Sequence, residues 1–442
     1  MNDSKRTQNS RIKFLCDGLR DKYKIDPSFY DNGEVKRGLR NADGTGVVAG
    51  VTKVGDVYGY DAAGDTPKPI DGKLYYRGID IMDIVGGYDG RFGFEKVAYL
   101  LLFGAMPGDT QLQSFRRVLS DAGKMPRGFF EDNILNVPSK NILNQLQKCI
   151  LALYSYDDLA DEISPENVMR QSIELIGSFP YIVANSYAVK RHVYDRQSLY
   201  INLPDEKLSI AENFLHMIRR NNEYSEDEAR LLDIMLILHA EHGGGNNSTF
   251  TCRVLSSAGT DTYSALSAAV GALKGKYHGG ANEKACEMVE YIKSAVSDYS
   301  DGSVRDCLRE ILSGEVYDGA GKIYGLGHAV YTISDPRALA IKSYAREMAE
   351  KKGRSAEFEL LEKVERIGIE LLSEKSGGKA RVCANIDLYS GLIYSMLDIP
   401  SELFTPIFAM ARSAGWCAHR MEEILTGGKI IRPAYNSASG TK

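Results

Sequence analysis

Seven histidines occur in the 442 residues, and four of them stand in settings where a titratable ring could do chemistry. His239 and His242 lie in LILHAEHGGGNNSTF. Three residues apart, they share one helix face, and the triple glycine leaves His242 at or just beyond the last turn. A His-x-x-His pair has zinc-ligand chemistry, yet no third ligand is local and the pattern is neither H-E-x-x-H nor H-x-x-E-H. Core packing is the simpler reading of His239. His278, in ALKGKYHGGANEKA, precedes a new helix near Asn282. A helix N-terminus disfavours imidazolium, and a neutral ring with a free N–H suits a carbonyl becoming an enolate oxygen. A hydrogen-bonding turn histidine is the plain alternative. His328 sits in KIYGLGHAVYTISDPR, where Gly325 and Gly327 allow close backbone approach to a ligand. A lone G-x-G without a preceding strand is no dinucleotide fingerprint, and no Walker A loop occurs.

Two further groups belong with these rings. Asp387, in RVCANIDLYSGLIYSML, stands among apolar neighbours. That environment raises a carboxyl pKa, as a base for a weak carbon acid requires; a helix N-cap is the alternative. Arg412 projects opposite an apolar stripe of its helix, on a side that also holds Phe408, Gly415, Trp416 and His419. A buried arginine needs an anionic ligand or a carboxylate partner, and the two readings stay open. Arg337 follows Asp335-Pro336, which aims the guanidinium.

Helical signals position these residues. Ser225-x-x-Glu228 is a capping box before an apolar run through Leu231, Ile234, Leu236 and Leu238. Phe358, Leu361, Val364, Ile367 and Leu371 follow Ser355, and this helix should stop by Gly377-Gly378. Thr405-Pro406 predicts an N-cap with proline at the next position, opening a stripe from Ile407 to Ile424. Strand signals are confined to Gly46–Tyr76, read as a small sheet or hairpin around Asp71-Gly72. Gly279-Gly280 and the neighbourhood of Gly391 are the expected joints.

Composition narrows the classes. With 54 Lys+Arg and 59 Asp+Glu the net charge is −5, apolar residues are 43% and charged residues 26%. A slightly acidic chain lacks the basic footprint of a nucleic-acid or membrane-surface binder. No apolar run reaches a membrane span, and the N-terminus has no apolar leader core, so a cytoplasmic location is expected. The seven cysteines are odd in number and widely spaced. They are expected to be free, buried and in a reducing compartment.

Four ordered motifs, LHAEHGGGNNSTF, LKGKYHGGANE, GLGHAVYTISDPR and NIDLYSG, followed by the arginines of MARSAG and IIRPAY, resemble citrate synthase. The similarity runs from about Leu74 to Tyr435. The resemblance implies an all-α fold with minor β structure near the N-terminus. Residues 1–280 plus 391–442 would form a large helical domain and 281–390 a small domain that closes over the site. It implies a homodimer that condenses acetyl-CoA with oxaloacetate and hydrolyses citryl-CoA, with no metal and no cofactor beyond the acyl-CoA substrate. By residue, His278 would stabilise the enol, Asp387 would remove the methyl proton, and His328 would polarise and protonate the ketone. His242, Arg337 and Arg412 would bind oxaloacetate, Asn246 and Ser248 would support the site, and Arg432 would come from the neighbouring subunit. Thr332 stands where many relatives carry a basic CoA contact, so Lys322 and Lys342 are the candidates for that contact. Lys276 replaces a proline common in that loop. 2-Methylcitrate synthase, acting on propionyl-CoA, is the close alternative. A non-catalytic helical dimer binding a tricarboxylate or acyl-CoA and a histidine-based metallohydrolase are the alternatives of other classes.

Overall fold

The computed structural model describes residues 12–16, 19–30, 33–41, 44–61, 68–378, 381–426 and 428–438. Residues 1–11, on which part of the N-terminal reading falls, lie outside these. The fold is all-α, with one small sheet among the described residues. None of the described helices is long and apolar enough to cross a membrane. Residues Gly50–Ile431 form one compact unit; Met1–Ala49 and Arg432–Lys442 are grouped as a second. The second holds the short helix Leu19–Tyr23 and two 3-10 turns.

Within the large unit the helix Phe404–Leu425 is the axis. It packs on Gly93–Phe103, Pro165–Asp195, Glu226–His239, Asn247–Ser257 and Thr262–Leu273. Every residue from Ala409 to Met421 is buried, so apolar residues on both sides of this helix signalled burial on both sides. Its start departs from expectation. The 3-10 turn Ser401–Leu403 runs straight into the helix, the cap position is Leu403, and Thr405 lies inside the first turn. The Thr405 hydroxyl donates to the Gly279 carbonyl at 3.1 Å instead of capping.

The capping box at Ser225 and Glu228 is present, and its helix, Glu226–His239, is buried from Leu231 onward. The helix Ser355–Lys375 buries Phe358, Leu361, Val364, Ile367 and Leu371. With Gly280–Ala295 and Pro336–Lys351 it surrounds the short helix Asp387–Met396. Gly391 falls inside that short helix, where an added Cβ would stand 1.9 Å from the Cys286 sulfur. This glycine serves close packing of two helices.

The sheet consists of antiparallel strands β1 (Gly55–Asp61), β2 (Lys68–Tyr76) and β3 (Ile79–Asp80), in that order. Asp71-Gly72, read as the turn, lies within β2 instead. Its glycine serves contact rather than reversal. A Cβ on Gly72 would meet the Ser334 carbonyl oxygen at 2.1 Å, and one on Gly59 the Val330 oxygen at 2.2 Å. The Gly72 N–H donates to Ser334 O at 3.2 Å, and Ser334 Oγ donates to Asp71 at 2.8 Å. Two side-chain-free positions thus let the sheet clamp the loop that follows His328.

No disulfide forms among the described cysteines. Cys149, Cys252, Cys307, Cys383 and Cys417 are buried, Cys286 is half-buried, and Cys16 is exposed, contrary to expectation. Cys16 sits in a segment with no core of its own: Ile12, Phe14 and Leu15 beside it are exposed as well.

Candidate active site

One cavity of about 150 Å³ collects the residues singled out by their chemistry: His242, Asn246, His278, His328, Arg337, Asp387 and Arg412 all line it. Arg337 and Asp387 stand in the first turns of their helices, Arg412 in the middle of its own, Asn246 at an N-cap, and His242, His278 and His328 between helices, across more than a third of the chain. His239 lines it too, but its Nδ1 bonds the Met235 carbonyl at 2.8 Å and its ring packs edge-on against Phe408. The packing reading of His239 accounts for these contacts.

The loops carrying His328 and Asp387 are laced together. Leu326 and Ala384 form an antiparallel bridge, Gly327 N donates to Cys383 O at 2.8 Å, and Asn385 N to Gly325 O at 2.9 Å. Both glycines have positive φ, +82° and +92°. At Gly325 a side chain would strike Leu388 at 2.8 Å. Asn385 closes the lacing by donating to Gly327 O at 2.9 Å.

The three imidazoles His242, His278 and His328 are all held toward the neutral form. The His328 Nδ1 accepts from Val330 N at 3.1 Å and Tyr331 N at 3.2 Å. The neutral ring therefore carries its proton on Nε2, as a donor. Its face stacks on Tyr331 at 4.5 Å. Burial, and then the Arg337 charge, hold its pKa down to about 4. His278 is likewise held to about 4, by burial first and Arg412 second, so desolvation keeps it neutral. Its Nε2 lies 3.3 Å from Ser248 Oγ. That hydroxyl accepts from Trp416 Nε1 at 3.2 Å and reaches Asn246 Oδ1 at 2.8 Å. Its single proton has two acceptors; turned to the imidazole, it leaves the His278 proton on Nδ1. Burial and three nearby cationic or imidazole groups depress His242 well below its usual value, and its Nε2 has no partner.

Asp387 is the first residue of its helix and does not cap it. Its carboxylate accepts one long bond, 3.3 Å from Asn282 Nδ2. Burial raises its pKa against the opposing pull of Arg337 and this bond. A carboxylate so weakly solvated is a stronger base than one in water. Asn282 also donates to Ser390 Oγ, which fixes the amide.

The two arginines differ. Asp335 caps the helix Pro336–Lys351 through the Arg337 N–H and grips the Arg337 guanidinium at 3.1 and 2.8 Å. Arg337 is thus aimed and charge-compensated by a carboxylate two residues away. Arg412 is fully buried, with Nε donating to His239 O at 2.7 Å, while Nη1 and Nη2 have no partner. Burial lowers its pKa to about 10. Arg420, two turns on and equally buried, spends its nitrogens on Thr262, Ser256 and Thr260. One helix therefore holds a buried arginine whose nitrogens are satisfied and another whose outer nitrogens are not.

Other expected residues lie elsewhere. Arg432 is exposed and belongs to the other unit. Lys322 is exposed, and Lys342 pairs with Glu365 at 2.8 Å; neither lines the cavity. Sequence reasoning missed Asn282, Asn385, Asp335 and Tyr394. The first three stood within the quoted motifs, two to four residues from a singled-out group, which was the only signal available.

A family model described as "Citrate synthase, C-terminal domain" matches residues 42–434. A citrate synthase from Synechocystis sp. is 33% identical over 413 residues, covering 91% of this chain and 90% of the relative. A citrate/2-methylcitrate synthase from Bacillus subtilis is 31% identical, covering 82% and 89%. The crystal structure of citrate synthase from Thermotoga maritima aligns with a TM-score of 0.72 at 30% identity, covering 92% of this chain and 97% of that one. With a match across most of its length and relatives above 30% identity over more than four-fifths of it, this chain is an acyltransferase of the citrate synthase family.

Proposed function

We propose that the chain condenses acetyl-CoA with oxaloacetate and hydrolyses the resulting citryl-CoA to citrate and CoA. The observation that carries this reading is the convergence, on one small cavity, of a weakly solvated carboxylate, two neutral imidazoles and an arginine with two unpartnered nitrogens. Arg412, Arg337 and His242 bind the oxaloacetate carboxylates, the arginine forks matching them bidentately. His328 directs Nε2–H at the ketone. Asp387 takes a proton from the acetyl methyl while His278, its Nε2 receiving the Ser248 proton, offers Nδ1–H to the thioester oxygen. Acting on opposite ends of one acetyl group in a dry site, base and donor each contribute on the order of 10²- to 10⁴-fold. The new C–C bond forms as the ketone oxygen takes the proton from His328.

In the same reading residues 281–390 act as the small domain that closes over the substrates. Two chains pair, Arg432 of each serving the partner's site, and the enzyme works in the cytoplasm in the tricarboxylic acid cycle. Lys322 remains the better candidate for the CoA phosphates, because Lys342 is already paired. The second reading, 2-methylcitrate synthase, is favoured by the similarity to a relative bearing both names. One methylene is worth about 1–3 kcal/mol in a pocket, so a single assay separates the two. Thiol release from oxaloacetate with acetyl-CoA and with propionyl-CoA should give the higher kcat/KM for acetyl-CoA. A reversed ratio supports the second reading. No release with either supports a non-catalytic binder, and loss of activity in chelator supports a metal enzyme.

A further inference from the structure

One hydroxyl on the cavity wall has neither a hydrogen-bond partner nor a part in the scheme above. Tyr394 lines the cavity beside Asp387. It is 1% exposed, and its hydroxyl has no hydrogen-bond partner. The two residues lie on one face of the helix Asp387–Met396, seven positions apart, and a long helical side chain leans toward the helix N-terminus. The Tyr394 hydroxyl therefore reaches back toward the Asp387 carboxylate, which is near enough to push its pKa up, after burial. Phe404 packs on the ring at 4.8 Å and fixes its direction. Buried hydroxyls in folded proteins are nearly always partnered, so an unpartnered one on a cavity wall calls for a ligand atom. Tyr331 also carries a buried unpartnered hydroxyl, but it is absent from the cavity wall, and its ring is occupied in stacking on His328.

The other reacting atoms already have partners. The carboxylates go to the arginines and His242, the ketone to His328, the thioester oxygen to His278 and the methyl proton to Asp387. The reactant left without a contact is the water of the hydrolytic step. We infer that Tyr394 is a positioning residue whose hydroxyl, at the Asp387 end of the cavity, holds the water that hydrolyses the thioester intermediate. The water oxygen bonds to the thioester carbonyl carbon and the C–S bond breaks. The hydroxyl stays on the carbon as the new carboxylic acid; Asp387 gives the departing thiolate the proton it took from the methyl, and the second water proton restores the ring of His328. No oxidant or further reactant is needed. This inference rests on the proposed condensation and hydrolysis.

The test uses Tyr394→Phe in the full chain, supplied with chemically prepared citryl-CoA. The intermediate either hydrolyses to citrate and CoA or reverts to acetyl-CoA and oxaloacetate, and the partition ratio is measured. We expect hydrolysis to fall at least tenfold, with reversion unchanged within about twofold, so that the ratio shifts toward reversion. Deuterium exchange from solvent into the acetyl-CoA methyl should also persist, which shows that the variant is folded and its base intact. If hydrolysis and reversion fall together, or neither changes, the water-holding role is overturned. If Phe cannot be accommodated, Tyr394→Met is put to the same partition measurement under the same criteria. If the wild-type protein neither hydrolyses nor reverts citryl-CoA, the proposed function itself fails, and the inference with it.

Discussion

Replacing Arg412 with methionine should separate substrate binding from folding, because binding should fall steeply while stability changes little. The guanidinium is fully buried, bonded once to the His239 carbonyl, and otherwise unpartnered. A bound carboxylate would gain two charge-assisted hydrogen bonds from it, at about 1.5–3 kcal/mol each. Losing both costs roughly 3–6 kcal/mol, a factor of about 10² to 10⁴ in oxaloacetate affinity. Folding is affected otherwise. Exchanging this buried charge, offset only by the field of the buried Glu241 and by the Phe408 ring face, for an apolar side chain of similar length gains about 1–4 kcal/mol. The orphaned His239 carbonyl returns about 1–3 kcal/mol of that. The net change should lie near zero, between roughly −2 and +3 kcal/mol. Arg420→Met is the control, since it orphans three acceptors and should lose several kcal/mol. The assay is thermal unfolding of both variants with and without oxaloacetate. In the wild type, oxaloacetate should raise the melting temperature by mass action; in Arg412→Met that rise should vanish while the ligand-free melting temperature stays close to wild type. The reasoning is refuted if Arg412→Met is destabilised as severely as Arg420→Met and still responds to oxaloacetate.

Three further outcomes are expected. Asp387→Asn should lower turnover by about 10²- to 10⁴-fold while leaving the KM for oxaloacetate within about threefold; steady-state kinetics with near-wild-type turnover would remove the base assignment. Glu95 is buried with one oxygen unpartnered. Burial, with the Asp233 charge behind it, pushes its pKa up from 4.5 to about 8. The folded state then binds the extra proton between these values, so stability falls as pH rises through that window; Glu95→Gln should flatten this decline in denaturant melts from pH 5 to 8, and an unchanged slope would show that Glu95 does not titrate this way. Arg432→Ala and Arg412→Ala should each lose activity as separate proteins and recover part of it after subunit exchange; exchange without recovery would count against a site shared between chains.

Much of the fold was legible because helix burial leaves a 3.6-residue pattern. The stripes before Gly377 and after Pro406 marked two long helices, and apolar residues on both sides of Arg412 marked a buried arginine. Local signals failed where a distant partner decided the outcome. Asp71-Gly72 has the composition of a turn, but its glycine is needed where Ser334, more than 260 positions away, presses on β2. Thr405 has the composition of a cap, yet Gly279 claims its hydroxyl. Seven of the residues singled out in the sequence line one cavity, whereas Lys322 and Lys342 do not. What sequence could not show was which groups are already satisfied: Arg337 is held by Asp335, Arg420 by three oxygens, and Arg412 mostly by nothing. That difference depends on where acceptors fall in space.

The path of the chain through the site also bears on biosynthesis. The cavity draws on positions from 239 to 412, and the helix carrying Arg412 fills the middle of the large unit. On a ribosome, where folding begins from the N-terminal side, the wall contributed by this helix is the last to emerge. A nascent chain bearing His242, His278, His328 and Asp387 would still lack both Arg412 and the axis around which its helices pack. Truncated translation products should therefore be inert and vulnerable to proteases rather than partly active.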